Sequence, residues 1–325
     1  MLNTIFHRLL QSVVVIVLMS FVVYMLIGLM PGDPIDLMIS SDPRMTAEDA
    51  ARLRQVYGLD QPLWDRYMAW ATGALSGEFG YSRLFGRPVI ELMGPRLLNT
   101  FLLMLSAWIL AVIFGLGLGI LAGARQGGII DTSVNWLAFV SASTPTFWLA
   151  LLLMILFSVQ LQLLPASGFP TSLNAGFGER LRHLVLPVLT LAIFETGAYA
   201  RYMRAAMMEA LNADHVRTAR AKGASRVRVV LVHALRNAMI PVVTIMALGF
   251  GNQFSGALIT ETMFSYPGMG KMIFDSVMGN DFNLALVALL FATAMTLAAN
   301  LIADLAYVML DPRISYAARP GGAAR

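Results

Sequence analysis

The sequence lacks cysteine and is poor in charge, and both deficits restrict what the protein can be. With no cysteine among its 325 residues, the chain can form no disulfide, thiolate metal site or cysteine nucleophile. Charged residues make up 13% of the chain, whereas a soluble domain usually has about 25%. That is too little charge to cover a soluble protein of this length, which argues against a soluble enzyme. The four histidines lie too far apart in the sequence to suggest a metal site.

The chain contains long apolar stretches that carry little or no charge. Hydrophobic residues make up 58% of the chain, and its mean hydropathy is +0.69. A helix that crosses about 30 Å of hydrocarbon needs about 20 apolar residues. We therefore predict an all-α polytopic membrane protein with six transmembrane helices, at about residues 9–30, 97–124, 134–164, 183–206, 238–260 and 282–308. The first stretch exceeds the apolar core of a secretory signal and has no cleavage pattern after it, so we interpret it as an uncleaved anchor.

The position of the charges sets the expected orientation. Residues 201–237 carry eight Lys or Arg side chains and two carboxylates, and cytoplasmic loops carry an excess of positive charge. With six spans, both termini are then cytoplasmic, and residues 311–325 form a cytoplasmic tail. Residues 31–95 become an external segment, since long loops are translocated largely regardless of their charge. A basic loop is usually only a topology signal that contacts anionic lipid, but the order of residues in this one suggests more.

Sequence signatures for chemistry are absent. The chain has no H-E-x-x-H, G-x-S-x-G or complete phosphate-binding loop. The nearest approach to such a loop, residues 267–272 (PGMGKM), lacks the first glycine and the final hydroxyl, and topology puts it outside the cell. We therefore expect no catalytic, cofactor-binding or metal residues. If ATP drives this protein, another subunit must bind it.

Two sets of residues within the predicted spans are candidates for a structural or transport role. Glycines spaced four apart lie on one helical face and would let a neighbouring helix approach closely; they are Gly115, Gly119 and Gly123. Polar side chains inside a membrane face the bundle interior or water, and Pro145 can break its helix and open a hydrated groove. The candidates for a translocation path are Ser143, Thr144, Glu195, Asn252, Gln253 and Glu261.

The basic loop contains a short segment that reads as a helix with defined ends. Asn212 or Asp214 could cap its N-terminus, and Gly223 could end it, because glycine tolerates the left-handed conformation required there. A short basic helix at the cytoplasmic surface is suited to docking into a groove on a soluble partner. The residues that we expect to make this contact are Asp214, His215, Arg217, Thr218, Arg220, Lys222 and Gly223.

Residues 214–241 resemble the coupling loop of type I ABC importer permeases, and more narrowly of the dipeptide/oligopeptide permease family. Residues 217–219 are Arg-Thr-Ala where the general importer loop has Glu-Ala-Ala, and this variant is typical of the peptide family. Residue 215 is His where the family usually has Tyr. Further short matches occur in order along nearly the whole chain: residues 31–34 (PGDP), 57–62 (YGLDQP), 77–82 (GEFGYS), 145–148 (PTFW), 164–168 (LPASG), 183–187 (HLVLP), 261–270 (ETMFSYPGMG) and 311–313 (DPR).

The resemblance implies a type I ABC importer permease fold and a non-enzymatic role. Residues 1–95 would hold the first helix and the external segment, and residues 96–310 the five-helix transport domain. Two permeases, this chain and a similar second one, would form the pathway. Two ATPase subunits with ATP and magnesium would dock at the coupling helices, and an external binding protein would deliver peptide. The expected location is the bacterial cytoplasmic membrane, in contact with lipid and with no nucleic-acid partner.

Other functions stay open at this point. An ion-coupled secondary transporter that works alone would also be polytopic, but such transporters often show inverted repeats, and the pattern of residues 214–241 is not repeated. A membrane-embedded assembly or sensor protein is compatible with the external segment. Within the ABC class, the substrate could instead be a nickel complex, glutathione or an oligosaccharide.

Overall fold

The protein is described here by a computed structural model that covers residues 2–29, 46, 48, 49, 52, 55, 60–170 and 176–310, without the side chains of residues 2–4, 252, 255 and 303–310. Residues 31–45 and part of 47–59 in the external segment, the predicted tail at 311–325 and the PGDP and DPR motifs lie outside this description. The named helices are α1 Leu2–Gly28, α2 Leu63–Leu75, α3 Val89–Ala124, α4 Ile129–Ser143, α5 Thr146–Met154, α6 Phe177–Asn212, α7 Asp214–Ala221, α8 Leu235–Met263, α9 Met269–Met278 and α10 Phe282–Leu310.

Two π-helical segments adjoin the named helices, one after α5 and one before α8. Helix α5 continues as a π-helix over Ile155–Gln160. A helical turn at Arg226–Arg228 and a π-helix at Val229–Ala234 lead into α8. Because no break separates these pieces, the chain is helical from Arg226 to the end of α8.

Five segments of the described chain are long and apolar enough to cross a membrane. They are Ile5–Gly28, Val89–Ala124, Phe177–Asn212, Arg226–Gly251 and Phe282–Ile302. The pair Ile129–Ser143 and Thr146–Gln160 passes the same test together, but is bent by 106°. The predicted all-helical membrane architecture is confirmed, and six spans result if the bent pair counts as one.

The bend in the third predicted span lies at the proline expected to break it. Helix α4 ends at Ser143, and Thr144 is extended, with φ −94° and ψ 122°. The ring of Pro145 disfavours the helical conformation for the residue before it. Thr144 still donates its backbone N–H and its hydroxyl to the Val140 carbonyl, at 3.0 and 2.7 Å. The break therefore exposes little unsatisfied backbone on its N-terminal side.

Residues 101–170, 176–266 and 296–310 belong to one compact unit. Within it, α6 lies against the glycine-bearing face of α3. A Cβ atom added to each of the three glycines would lie 2.6 Å from the Cβ of a residue on α6, closer than real side chains pack; the pairs are Gly115–Tyr199, Gly119–Met203 and Gly123–Met207. Only glycine allows this approach. On another side, Gly197 of α6 lies against Ser141 and Ala138 of α4.

Residues 5–29, 60–100 and 267–295 belong to the second unit. Its two sequence-distant parts meet at Asp281, which begins α10. The carboxylate accepts hydrogen bonds from the Ser82 hydroxyl at 2.5 Å and the Leu84 amide at 3.0 Å. It also accepts from the Leu284 amide at 3.2 Å, as a helix N-cap does. Nothing in the sequence had singled out Asp281, whose side chain is buried.

Candidate functional site

Helix α7 follows α6 after a turn of one residue. Ala213 is extended there, with φ −70° and ψ 151°, and its carbonyl accepts from the amides of Val216 and Arg217 at 3.0 and 3.2 Å. No side chain caps this end, so the prediction of a cap by Asn212 or Asp214 was wrong. Asp214 lies inside the first turn instead, where its carboxylate pairs with Arg217 at 3.4 Å.

The other end of α7 is closed by backbone hydrogen bonds around Gly223. Gly223 has φ +80°, with open space where a side chain would lie. Its amide donates to the Arg220 carbonyl at 2.9 Å, and the Ala224 amide donates to the Ala219 carbonyl at 3.1 Å. This pair of bonds is the Schellman motif, which requires a left-handed residue at the position that Gly223 holds.

The two faces of α7 differ in character. Val216 and Ala219, three residues apart, are buried, and Val216 belongs to the same apolar cluster as Met207 and Ala210 of α6. That cluster also includes Val229, Ala234 and Ala238, at the start of the next span. The side chains of His215, Arg217, Thr218, Arg220 and Lys222 are exposed. Helix α7 is thus attached to the bundle by its apolar face and presents a basic face outward.

His215 adds a polar attachment that the sequence did not indicate. Its Nε2 atom lies 2.9 Å from the Asn237 side-chain nitrogen and 3.2 Å from the His233 carbonyl oxygen. The ring can accept from the amide or donate to the carbonyl, depending on its tautomer. Either bond ties α7 to the segment that enters α8.

A buried ion pair braces the same end of the bundle. Arg204 of α6 contacts Asp131 of α4 with two nitrogens, one of them Nη2 at 3.0 Å from Oδ2. Asp131 is 4% exposed and also accepts from the Gly127 amide at 2.8 Å. The two residues are 73 positions apart, so neither charge pattern nor spacing could have revealed the pair.

The proposed path residues are not gathered at one place. Ser143 is exposed and Thr144 half-buried, both at the end of α4. Glu195 is half-buried on α6, whereas Gln253 and Glu261 of α8 are 3% and 0% exposed. The side chain of Asn252 lies outside the described part. Packing within the unit buries Glu261 fully.

Two close approaches align α6 with α8. Gly249 lies against the Tyr199 hydroxyl, and a Cβ on Gly256 would lie 3.4 Å from Leu191. The helices therefore run in opposite directions, and Glu195 and Gln253 fall at the same depth. Both amide atoms of Gln253 are buried and have no hydrogen-bond partner among the side chains that the structure describes. Such groups are costly inside a bundle, which marks this layer as a candidate for function.

The described residues contain no group of three or more His, Asp or Glu side chains that could hold a metal ion. Two other features of the described residues are candidates for function: the exposed basic face of α7 and the polar layer within the bundle.

Comparison with protein families gives two matches. Residues 115–316 match a model described as binding-protein-dependent transport system inner membrane component. Residues 1–84 match the model for the N-terminal part of such membrane components. Together the two matches include both the anchor and all of α7.

Curated relatives align with nearly the whole chain. A putative peptide permease of Brucella suis biovar 1 is 39% identical over 97% of this chain and 99% of its own. An oligopeptide transport system permease of Bacillus subtilis is 36% identical over 96% and 99%. A glutathione transport system permease of Salmonella paratyphi A is 37% identical over 97% and 100%.

One solved structure supports the fold. The crystal structure of an amino acid ABC transporter with histidines matches with a TM-score of 0.53 and 17% identity. The match covers 68% of this chain and 94% of that one. At this identity, the likeness concerns the fold alone.

Proposed function

The chain belongs to the family of binding-protein-dependent transport inner membrane components, the permeases of ABC importers, and on that premise we propose that it forms half of a transmembrane pathway for peptide uptake. Three of its relatives are named for peptide, oligopeptide or dipeptide transport. A fourth is named for glutathione, which is itself a tripeptide. These names support peptides over nickel complexes or oligosaccharides as the class of substrate.

We further propose the assembly that this role requires. A second, similar permease completes the pathway, and an external binding protein delivers peptide to it. Two ATPase subunits bind ATP and magnesium, and each docks on a coupling helix, which in this chain is α7. The chain spans the bacterial cytoplasmic membrane with both termini inside, so that the basic face of α7 meets the ATPase in the cytoplasm.

The observation that carries the coupling role is the attachment of α7 to the bundle. Val216 is fully buried in the apolar cluster that contains Met207 of α6 and Val229 before α8. Met207 in turn lies against Gly123 of α3. Because packed interiors move as units rather than deform, displacement of α7 by an ATPase is passed to three spans. ATP-driven closure of the ATPases then switches access to the pathway, and hydrolysis resets it.

For the pathway itself, we propose contact between peptide and the layer at Glu195 and Gln253. Glu195 is half-buried, so a modest rotation of α6 exposes its carboxylate to a peptide ammonium group. The Gln253 amide has no partner among the described side chains, and it can bind a peptide backbone. The break at Ser143 and Thr144 supplies further polar groups at the end of α4.

The decisive experiment is reconstitution of peptide uptake in proteoliposomes. We expect uptake only when this chain, the second permease, both ATPases and the loaded binding protein are present together with ATP and magnesium. Uptake by this chain alone, driven by an ion gradient, would establish the secondary-transporter alternative. Competition by unlabelled di- and oligopeptides, nickel complexes and oligosaccharides then identifies the substrate class, and failure of every peptide to compete would exclude peptides.

A further inference from the structure

A cavity of about 380 Å³ lies between α7 and the ends of α3 and α6. Two arginines line it, Arg220 at the end of α7 and Arg226 in the following turn. The rest of the wall is apolar and includes Leu211, Val229 and Val230. The cavity is open to the surface, where both arginines are exposed, and it combines guanidinium groups with an apolar wall.

The positive charge of this cavity is not neutralised within the described chain. Arg226 donates from Nη2 to the Ala124 carbonyl at 3.0 Å, which closes the C-terminal end of α3. No carboxylate among the described residues forms an ion pair with Arg220 or Arg226. Asp131 and Asp214 are occupied by Arg204 and Arg217 instead. A bound anion would therefore replace water at the two guanidinium groups without displacing an existing partner.

We propose that this cavity binds the phosphodiester headgroup of an anionic phospholipid from the cytoplasmic leaflet. The inference rests on the orientation proposed above, which places the ends of α3 and α6 at that leaflet. Arg226 and Arg220 bind the phosphate, since guanidinium groups pair with phosphate through two parallel hydrogen bonds. Of the basic face of α7, Arg220 alone lines the cavity, so His215, Arg217 and Lys222 are left to contact the ATPase. Leu211 and Val230 contact the glycerol and the first carbons of the acyl chains. Basic pockets between helices on the cytoplasmic side bind anionic headgroups in this way.

The apolar wall favours a lipid over a soluble anion. Inorganic phosphate would satisfy the arginines but leave the half-buried Leu211 and Val230 against water, whereas a lipid covers both kinds of surface. Because Arg220 belongs to α7 and Arg226 bonds to the end of α3, a bound headgroup also links these two helices. The fraction of anionic lipid in the membrane therefore affects how firmly α7 is held against α3.

The test is lipid retention by the purified complete importer, measured by native mass spectrometry after titration with phosphatidylglycerol or phosphatidylcholine. We expect preferential retention of phosphatidylglycerol by the wild type. Arg226→Gln removes a charge from the cavity and Val230→Phe fills it, and each should raise the half-saturating phosphatidylglycerol concentration about tenfold, the effect of losing one good polar or packing contact. Arg228→Gln removes the same charge from an exposed side chain outside the cavity and should change it less than about twofold.

Three results would overturn the proposal. If Arg228→Gln weakened phosphatidylglycerol binding as much as Arg226→Gln, the lipid would be attracted by the general positive charge rather than by this cavity. If Val230→Phe left phosphatidylglycerol binding unchanged, the headgroup would bind elsewhere. Displacement of phosphatidylglycerol by millimolar inorganic phosphate would identify a soluble-anion site. Melting in phosphatidylcholine alone reports whether each variant is folded, and the two cavity variants test the site independently. Since the readout is lipid rather than transport, loss of peptide uptake with normal lipid retention would count against the proposed function and not against this site.

Discussion

Asp131 is almost fully buried, and both of its carboxylate oxygens are in use. The Arg204 guanidinium and the Gly127 backbone amide both donate hydrogen bonds to them. Since the residue begins α4 and its partner lies on α6, the pair holds the short loop after α3 against the end of the bundle from which α7 emerges. A charge removed from such a pair leaves its partner buried and unmatched, which costs more than the pair itself contributes.

We predict that Asp131→Leu destabilises the protein by about 1–3 kcal/mol, because Arg204 then loses its partner in a largely buried position. Adding Arg204→Met should restore part of the loss, since two apolar residues of similar size leave no unmatched charge. Thermal unfolding of the purified permease measures both. The exposed pair Asp214–Arg217 provides the control, because Asp214→Asn should have little effect. If the double variant is no more stable than the single one, Arg204 does not depend on this carboxylate.

Gly119 and Gly117 lie in the same helix and meet different surroundings. A Cβ on Gly119 would lie 2.6 Å from the Cβ of Met203 and 2.7 Å from the Ala200 carbonyl oxygen. A Cβ on Gly117 would meet nothing within 4 Å. We predict that Gly119→Ala destabilises by about 1–3 kcal/mol through overpacking, whereas Gly117→Ala is neutral or stabilises by up to about 1 kcal/mol through helix propensity. Unfolding curves that shift equally for both would show that α3 and α6 do not pack through this stripe.

At the scale of elements, α7 shows what a sequence can and cannot predict. Gly223 predicted the end of the helix, because few residues adopt the left-handed conformation that such an end requires. The start was mispredicted, because Asn212 and Asp214 are both good caps by type but α6 continues through Asn212 and leaves Ala213 at the turn. The bonds from His215 to Asn237 and His233 depend on how the following segment folds back, which no local pattern encodes.

The exposed basic face of α7 leads to a prediction about the ATPase. Arg217→Glu reverses a charge that is 73% exposed, so it should leave folding nearly unchanged. If α7 docks in an ATPase groove, we expect ATP-driven peptide uptake to fall at least about tenfold, since a like charge at an interface is strongly unfavourable. Arg236→Glu is the matched control, an exposed arginine of the same basic segment outside α7.

The measurement is uptake in proteoliposomes together with co-purification of the ATPases. Reduced uptake with Arg217→Glu and normal uptake with Arg236→Glu would support docking through α7. Equal losses in both variants would indicate that general charge, rather than this helix, attracts the ATPase. Normal uptake and co-purification with Arg217→Glu would exclude Arg217 from the contact.

At the scale of the whole molecule, apolar length predicted the spans well because each span needs a stretch about as long as the bilayer is thick. The helices extend beyond the predicted ends, as α6 does at Phe177–Asn212, since polar residues at either end continue the helix outside the hydrocarbon. Contacts between distant residues were not predictable. Asp281 with Ser82, and Asp131 with Arg204, are chosen by the packing of whole helices, and a single sequence does not report that packing.

The bent pair α4–α5 determines the topology of everything after it. Residues 201–237 are strongly basic, and α3 is followed at once by Arg125. If both α3 and α6 end in the cytoplasm, as the positive-inside rule requires, the chain must return to the outside between them. In the described part of that stretch, the helices are α4 and α5 with its π-helical extension. Without that crossing, the basic loop and α7 would be external, where no ATPase could reach them.

We therefore predict that single cysteines at the two ends of the bent pair are labelled from opposite sides. The chain has no native cysteine, and Ile129 and Leu161 are 87% and 50% exposed. A membrane-impermeant maleimide applied to intact spheroplasts should label Leu161→Cys at once, and Ile129→Cys only after permeabilisation. We expect Asp60→Cys to be labelled like Leu161→Cys, and Val227→Cys after α7 to be labelled like Ile129→Cys. Labelling of positions 129 and 161 from the same side would mean that the pair is re-entrant, that five spans cross, and that α6 runs opposite to the direction proposed here.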